Sequence, residues 1–151
     1  MHDSTHSDPG LLLSQYVNTP YGQVFSSSIL LHRKDCLMGY KNLKSFETRK
    51  AENEQLLMRY PGRVCIVVES GPHIALQKFK FLTPEDLNMA QMMHVVRKHI
   101  DGLAPSAALF FFTKHNSIPP MNMTIRRLHE TFGDEDGNLY LDLRTENTFG
   151  G

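Results

Sequence analysis

The side chains best suited to covalent chemistry in this chain are its two cysteines, Cys36 and Cys65, and its eight histidines. A zinc site needs ligands at set spacings, and the sequence has neither a Cys-x-x-Cys pair nor a His-Glu-x-x-His motif. Cys65 lies in the apolar run 64–68, where a thiol usually packs as a small hydrophobic residue. No nucleophile, base and orienting group can be assembled by motif or spacing. We therefore predict that the protein is not an enzyme and that it uses no metal or other cofactor.

The carboxyl end of the chain has a different kind of pattern. Residues 146–151 read Glu-Asn-Thr-Phe-Gly-Gly, so one aromatic residue precedes two residues without side chains. Chain ends often fray in polar sequence, and two glycines alone would mean little. Whether this end has a function depends on the elements that precede it.

Length and charge limit the class of protein. The 151 residues fit one domain with a real core, and 16 basic and 16 acidic residues cancel. This balance gives no indication of binding to nucleic acid, and two local charge clusters, at 41–50 and 134–136, are interpreted as solvated surface. The apolar run 11–13 is too short for a signal core, and no run approaches the roughly 18 residues of a membrane span. We expect a cytoplasmic protein.

The first 37 residues differ from the rest of the chain. Polar residues, proline and glycine are mixed there with isolated apolar clusters, and no period is sustained. We predict a flexible N-terminal extension over residues 1–37 and a single domain over residues 38–151. Because regular patterning begins at Met38, an internal start there is a hypothesis that the mass of the natural protein would test.

The domain reads as alternating helices and strands. Ser45 can cap a helix over residues 46–59, which Pro61 and Gly62 end. Residues 63–69 predict a central strand, and the alternation over 77–82 predicts a strand with one solvated side.

The second half of the domain continues this order. Residues 83–86 resemble a helix start, and the helix is expected to run to about His99. Residues 107–113 predict a buried strand, 124–132 a short helix, and 138–144 a last strand after a turn. The order predicts an α+β fold with a mixed sheet and a helix on its face. The β-grasp of ubiquitin has this order, as do several other α+β folds.

Seven stretches in this order and spacing resemble one known family. They are SFETRKAENEQ, RYPGRVCIVVE, KFKFLTPEDL, VVRKHI, ALFFFTKHNSIPP, DEDGNLYLDL and ENTFG. The chain is similar to the ubiquitin-like modifiers of the autophagy-related protein eight family, which includes GABARAP and the microtubule-associated light chain three proteins. The resemblance covers residues 38–151. It implies a ubiquitin-like β-grasp, a four-stranded mixed sheet with a helix across it, preceded by an N-terminal helical region.

The resemblance also implies a role for the tail. A processing cysteine protease would remove Gly151, leaving Gly150 as the carboxyl end, and Phe149 would be the residue that the processing enzymes recognise. Activating and conjugating enzymes of the autophagy pathway would then pass Gly150 to the amine of phosphatidylethanolamine, so this lipid is the expected covalent group. Glycine suits an acyl group that must enter narrow active sites, because it has no Cβ. The protein would be found in the cytoplasm and, after lipidation, on autophagosomes, with the vacuole or lysosome as a further destination.

A second implied function is the binding of cargo receptors through short peptides of the form aromatic-x-x-aliphatic with acidic flanks. The peptide would add as a strand beside residues 77–82, an edge with unpaired backbone groups. By position in the family, the aromatic pocket would comprise Glu52, Leu56, Cys65, Val67, Lys80 and Leu82. The aliphatic pocket would comprise Phe81, Pro84, Leu87, Met92 and Val95. Arg63 and Lys78, with Lys80, would meet the acidic flank. Taken alone, Leu56, Val67, Leu87 and Val95 would each be interpreted as core, but the edge strand, the lysines and the apolar pair together favour a groove.

The sequence departs from the family pattern near this groove. Cys65 stands where a proline is usual, and Met92 where a phenylalanine is usual. His99 stands in place of an arginine, so the charge it contributes would fade above about pH 6.5. These changes leave the selectivity for peptides open.

Two other functions remain open at this point. One is a modifier like autophagy-related protein twelve, which is joined to a protein lysine through its terminal glycine. The other is an adaptor that is not conjugated, associated with trafficking or tubulin, which would use only the groove and the basic segment 41–50.

Overall fold

The computed structural model describes residues 39–146 in full and the backbone of residues 16–19 and 22–25. The elements in chain order are β1 Tyr16–Thr19, β2 Gly22–Phe25, α1 Tyr40–Leu43, α2 Phe46–Arg59, β3 Arg63–Ser70, β4 Ala75–Leu76, β5 Lys80–Pro84, α3 Met89–Arg97, β6 Ile100–Asp101, β7 Leu109–Phe112, α4 Ile125–Phe132 and β8 Leu139–Thr145. Across the described parts of the chain, no helix combines the length and the apolar character that crossing a membrane requires.

The sheet has the strand order β1-β2-β5-β3-β8-β7. Strands β3 and β8 are parallel, and the other neighbours are antiparallel. The strands β5-β3-β8-β7 form the predicted four-stranded mixed sheet, and helices α1 and α2 precede it in the chain. The predicted α+β, ubiquitin-like fold with an N-terminal helical region is therefore confirmed.

Side chains alternate across the sheet and so build two layers of packing. On one face, Cys65 and Leu82 pack with Leu56 of α2. On the other face, Ile66 and Phe81 belong to the main core. That core also contains Met89, Met92, Val95 and Val96 of α3 and Ile125 and Leu128 of α4. The strand β5 therefore has packing partners on both of its faces.

Local signals place two helices where the sequence predicts them. The Ser45 side chain accepts a hydrogen bond from the Thr48 N–H, so α2 begins at Phe46 as expected. Its end is set by Gly62, whose φ of 79° belongs to the left-handed region that glycine tolerates. Thr124 caps α4 in the same way by accepting from the Arg127 N–H.

The expected start of the α3 helix at residues 83–86 is wrong. Thr83 and Pro84 belong to β5, paired with Val64 and Arg63, and the helix begins at Met89. Asn88 and Gln91 form a capping box there, which satisfies two orphan backbone donors at once. Strand pairing with β3 thus keeps residues 83 and 84 in the sheet despite their suitability as a helix start.

A buried ion pair fixes the position of α2 against the turn before β8. Arg49 Nε lies 2.9 Å from Asp136 Oδ2, and their side chains are 8% and 0% exposed. Burial alone would raise the pKa of Asp136, but hydrogen bonds from the Tyr140 hydroxyl and from Arg49 outweigh it, so the pKa lies below its usual value. The interpretation of both charge clusters as solvated surface is wrong for these two residues.

Candidate functional site

The predicted groove residues gather around β5 and its neighbours. A hydrogen bond from the Val68 N–H to the Phe79 carbonyl, 2.7 Å, sets the alternation of backbone groups along this strand. In an antiparallel ladder the N–H and C=O of one residue point to the same neighbour, and successive residues alternate. The backbone N–H and C=O of Phe81 therefore point toward β3, whereas those of Lys80 and Leu82 point away from β3.

The residues assigned to the aromatic pocket lie on the α2 face. Leu56, Cys65 and Leu82 form one cluster with exposures of 3%, 1% and 0%, and Leu57 and Tyr60 pack beside them. Lys80 and Val67 are paired in the ladder two positions further along, on the same face. The structure thus brings Leu56, Cys65 and Leu82 together, whereas Val67 packs in the main core.

A charged group closes the pocket at its Lys80 end. Lys80 Nζ donates to the Tyr40 hydroxyl at 2.7 Å and lies 3.8 Å from Glu52 Oε1. The Tyr40 hydroxyl donates to the same carboxylate at 3.3 Å, and Lys44 Nζ holds it at 2.8 Å. Glu52 thus receives three polar contacts, from β5, from α1 and from the residue that follows α1.

The ionisation of this group follows from its burial and pairing. Burial alone would lower the pKa of Lys80, but the neighbouring Cys65, Tyr40 and Glu52 groups raise it above its usual value. Burial raises the pKa of Tyr40 to about 12, although Lys80 opposes this. At neutral pH the pocket therefore holds a charged ammonium and a neutral phenol.

Most residues assigned to the aliphatic pocket, namely Phe81, Leu87, Met92 and Val95, lie on the opposite face of β5. Phe81, Met92 and Val95 are 0%, 0% and 3% exposed and belong to the main core, while Leu87 is half-buried and packs against it. Pro84 is half-buried at the end of the strand. In this structure only Leu87 and Pro84 present surface, so Phe81, Met92 and Val95 serve as its core support.

Three cations were expected to meet an acidic flank. Lys80 is buried and paired with Tyr40 and Glu52, so it does not present its charge to solvent, and the other two stand at the two ends of the groove. Arg63 begins β3 and pairs with Pro84, whereas Lys78 lies in the loop before β5. The Arg63 Nη1 atom is buried without a hydrogen-bond partner among the described residues. The His99 ring is tilted against the Phe81 ring, and their centroids are 5.8 Å apart. Burial, with Lys78 and Lys98, lowers the pKa of His99, so this ring is neutral at neutral pH.

The expected free edge at residues 77–82 is wrong in two respects. The strand runs from Lys80 to Pro84, and its outer side is paired with β2. Gln23 lies opposite Leu82 and Val24 opposite Phe81 in an antiparallel register, and β1 pairs with β2 beyond it. These strands fall within residues 1–37, where the sequence predicts a flexible extension. Side-chain patterning could not reveal them because short strands depend on the partner they pair with.

The remaining candidate residues are the two cysteines, possible metal ligands and the residues of the tail. Burial raises the pKa of the Cys65 thiol, which keeps it protonated and fits a packing role. Among the described residues, no cluster of His, Cys, Asp and Glu side chains could hold a metal ion. Phe149, Gly150 and Gly151 lie outside the described residues, as does Cys36.

Sequence reasoning missed two members of the polar group, Tyr40 and Lys44. Both precede α2, and nothing in their local pattern links them to a lysine 36 or more positions later. Tyr40 is 2% exposed, and its ring is tilted against the Phe79 ring with centroids 6.0 Å apart. The one signal available for this polar group was an aromatic residue, Tyr40, shortly before the capped helix α2.

Comparisons with known proteins agree on one family. The family described as "Autophagy protein Atg8 ubiquitin like" matches residues 48–150. Autophagy-related protein 8 of Mycosarcoma maydis is 39% identical over 114 residues, which cover 74% of this chain and 95% of that protein. Its counterpart in Colletotrichum lindemuthianum is 38% identical over 115 residues, covering 74% and 93%.

Solved structures give the same result. The crystal structure of Trypanosoma brucei ATG8 has a TM-score of 0.65 at 30% identity and covers 72% of this chain and 94% of that one. Plasmodium falciparum Atg8, solved in complex with a Plasmodium falciparum Atg3 peptide, has a TM-score of 0.61 at 28% identity, covering 69% and 93%.

Proposed function

The chain belongs to the Atg8 family of ubiquitin-like autophagy proteins, and from this premise we propose that it is conjugated through Gly150 to phosphatidylethanolamine. As a ubiquitin-like protein of this family it is a modifier and not an enzyme. The observation that carries the proposal is that the family match extends to residue 150, the first glycine of the tail. Gly151 would then be the residue removed by a processing cysteine protease.

The chemistry places the reacting carbon on this chain and the catalytic groups on its partners. Hydrolysis of the 150–151 peptide bond frees the Gly150 carboxylate, and an activating enzyme adenylates it with ATP, which releases pyrophosphate. A cysteine of that enzyme displaces AMP to form a thioester, and the acyl group then passes to a cysteine of the conjugating enzyme as the first thiol leaves. The lipid amine then attacks the thioester carbonyl, forming an amide and returning the thiol. Two acyl chains anchor a protein stably, whereas one gives only marginal binding.

A lipidation assay with variants of the tail tests this proposal. The wild type should lose Gly151 and float with membranes, and the mass of its C-terminal peptide should include phosphatidylethanolamine on Gly150. Gly150→Ala should abolish both the flotation with membranes and the attachment of the lipid. Gly151→Ala is the matched control and should float like the wild type, since the changed residue is discarded. Gly150 found on a protein lysine would instead favour a modifier like autophagy-related protein twelve. Unchanged recruitment of Gly150→Ala would favour an adaptor that is not conjugated, such as one that binds tubulin.

We further propose that the two pockets around β5 bind aromatic-x-x-aliphatic peptides of cargo receptors and of the conjugating enzyme. The pockets lie on opposite faces of the same strand. Successive side chains of an extended peptide alternate in direction, so residues three apart point to opposite faces. This spacing therefore lets one added strand fill both pockets. The Atg3 peptide bound to the Plasmodium relative supports a conjugating-enzyme peptide as one ligand.

Peptide spacing gives a direct test of this geometry. A labelled aromatic-x-x-aliphatic peptide with an acidic flank should bind more tightly than one with the two anchors two positions apart. In the second peptide both anchors would face the same side of the strand. Equal affinity for the two peptides would contradict the assignment of the pockets. Lys78→Glu should weaken binding of the acidic peptide and leave a peptide with a neutral flank unaffected.

A further inference from the structure

Strand β2 occupies the place where an added peptide strand would lie. We propose that the described strands β1 and β2 act as an intramolecular cap that holds the groove closed until a peptide displaces it. This inference rests on the proposed peptide-binding function of the same site. It concerns residues outside the part of the chain that matches the family, which begins at residue 48.

The backbone of β5 has one outer side, and β2 uses it. Because the 79 carbonyl faces β3, Leu82 directs its N–H and C=O outward, and Gln23 lies opposite it. Neighbouring strands stand about 4.8 Å apart in the plane of the sheet, so there is room for one strand at this position. A bound peptide strand and β2 therefore exclude each other.

The sequence of the cap agrees with this role. Residues 21–24 read Tyr-Gly-Gln-Val, an aromatic residue followed three positions later by an aliphatic one. This is the pattern that the groove is proposed to bind. Tyr21 lies outside the described residues, but Val24 is placed by register opposite Phe81, which is assigned to the aliphatic pocket. The cap thus places Val24, the aliphatic residue of this pattern, beside a residue assigned to the aliphatic pocket.

The cap is short enough to be displaced. Strands β1 and β2 have four residues each, and a two-stranded hairpin alone is marginally stable in water. Its attachment to the same chain gives it an effective concentration in the millimolar range. If the capped form outnumbers the open form about tenfold, the apparent dissociation constant of a peptide is raised by about the same factor.

Substituting proline for Gln23 tests the cap without disturbing the rest of the fold. Proline has no N–H to donate to Leu82, so Gln23→Pro should release β2 while leaving residues 39–146 unchanged. Gln23→Thr is the matched control, because threonine keeps the N–H and favours strands. Both variants are made in the full-length chain.

Two measurements on these variants test whether β2 caps the groove. Fluorescence polarisation of a labelled aromatic-x-x-aliphatic peptide should show binding about tenfold tighter for Gln23→Pro and unchanged for Gln23→Thr. Amide hydrogen exchange should become faster at Leu82 in Gln23→Pro, with Phe81 as the internal standard, because its N–H faces β3. Unchanged affinity and unchanged exchange at Leu82 would overturn the cap while leaving the groove proposal intact. If exchange at Leu82 quickens but neither variant binds the peptide, the proposed groove function fails, and with it the regulation.

Discussion

Removing the charge of Asp136 should destabilise the fold strongly, because its partner Arg49 is buried with it. The Asp136→Asn variant leaves the guanidinium 8% exposed and without a counter-charge, although Arg49 Nη1 keeps a hydrogen bond to the Lys44 carbonyl at 2.7 Å. Breaking a buried ion pair by removing one partner typically costs about 3–5 kcal/mol. The retained carbonyl contact places our expectation near the lower limit, at about 3 kcal/mol.

The effect should depend on pH in a defined direction. The pKa of Asp136 is lower in the folded protein than its usual value of about 3.9. Such a group stabilises the folded state fully above the unfolded pKa and loses this contribution as the pH falls through the folded pKa. The difference in stability between the wild type and Asp136→Asn should therefore be constant from about pH 5 to 7 and shrink below about pH 4.

Urea unfolding followed by circular dichroism at pH 7, 5 and 3.5 measures this difference. Glu85→Gln is the control, because it breaks the ion pair between Glu85 and Arg126, which is 2.7 Å long but 34% and 52% exposed. That variant should unfold at nearly the wild-type midpoint. The reasoning is refuted if both variants lose the same stability, or if the loss in Asp136→Asn is unchanged at pH 3.5.

Three further predictions concern single residues. Gly137→Ala should lower the free energy of unfolding by about 1–3 kcal/mol, because Gly137 has a φ of 92° and a Cβ there would overlap Asn53. The midpoint of urea unfolding measures this loss, and an unshifted midpoint would contradict it. Asn88→Ala should cost about 1 kcal/mol by removing the capping box of α3, whereas Asn88→Asp should restore most of it in the same assay. Because burial and two lysines lower the pKa of His99, peptide affinity should stay constant from pH 7 to 8, and an NMR titration of this ring should give a pKa below the usual value of about 6.5.

Local chemistry made much of the fold predictable. A capping serine, a stop at Pro61 and Gly62, and a continuous apolar run are short-range signals, so the bounds of α2 and the course of β3 followed from them. The family resemblance also followed from short contiguous stretches of the sequence. The tail assignment rests on the same kind of signal and stays a prediction.

The errors lay where two distant segments meet. The segment 83–84 has the composition of a helix start, yet pairing with residues 63–64 keeps it in the sheet. The free edge expected beside residues 77–82 is covered by β2, a segment that has no strand pattern of its own. Strand pairing depends on the partner more than on intrinsic preference, which is why one stretch of sequence could not reveal it.

Signals close together in the chain were enough to predict the course of α2, β3 and α4 and the family, and they also support the prediction for the glycine tail. Tertiary structure decided which charges are buried and which strand edge is occupied. Arg49 and Asp136 are 87 positions apart and look like surface residues, but folding places them 2.9 Å from each other with almost no exposure. Water is excluded at that contact by elements from both halves of the chain, so its strength is a property of the assembled fold.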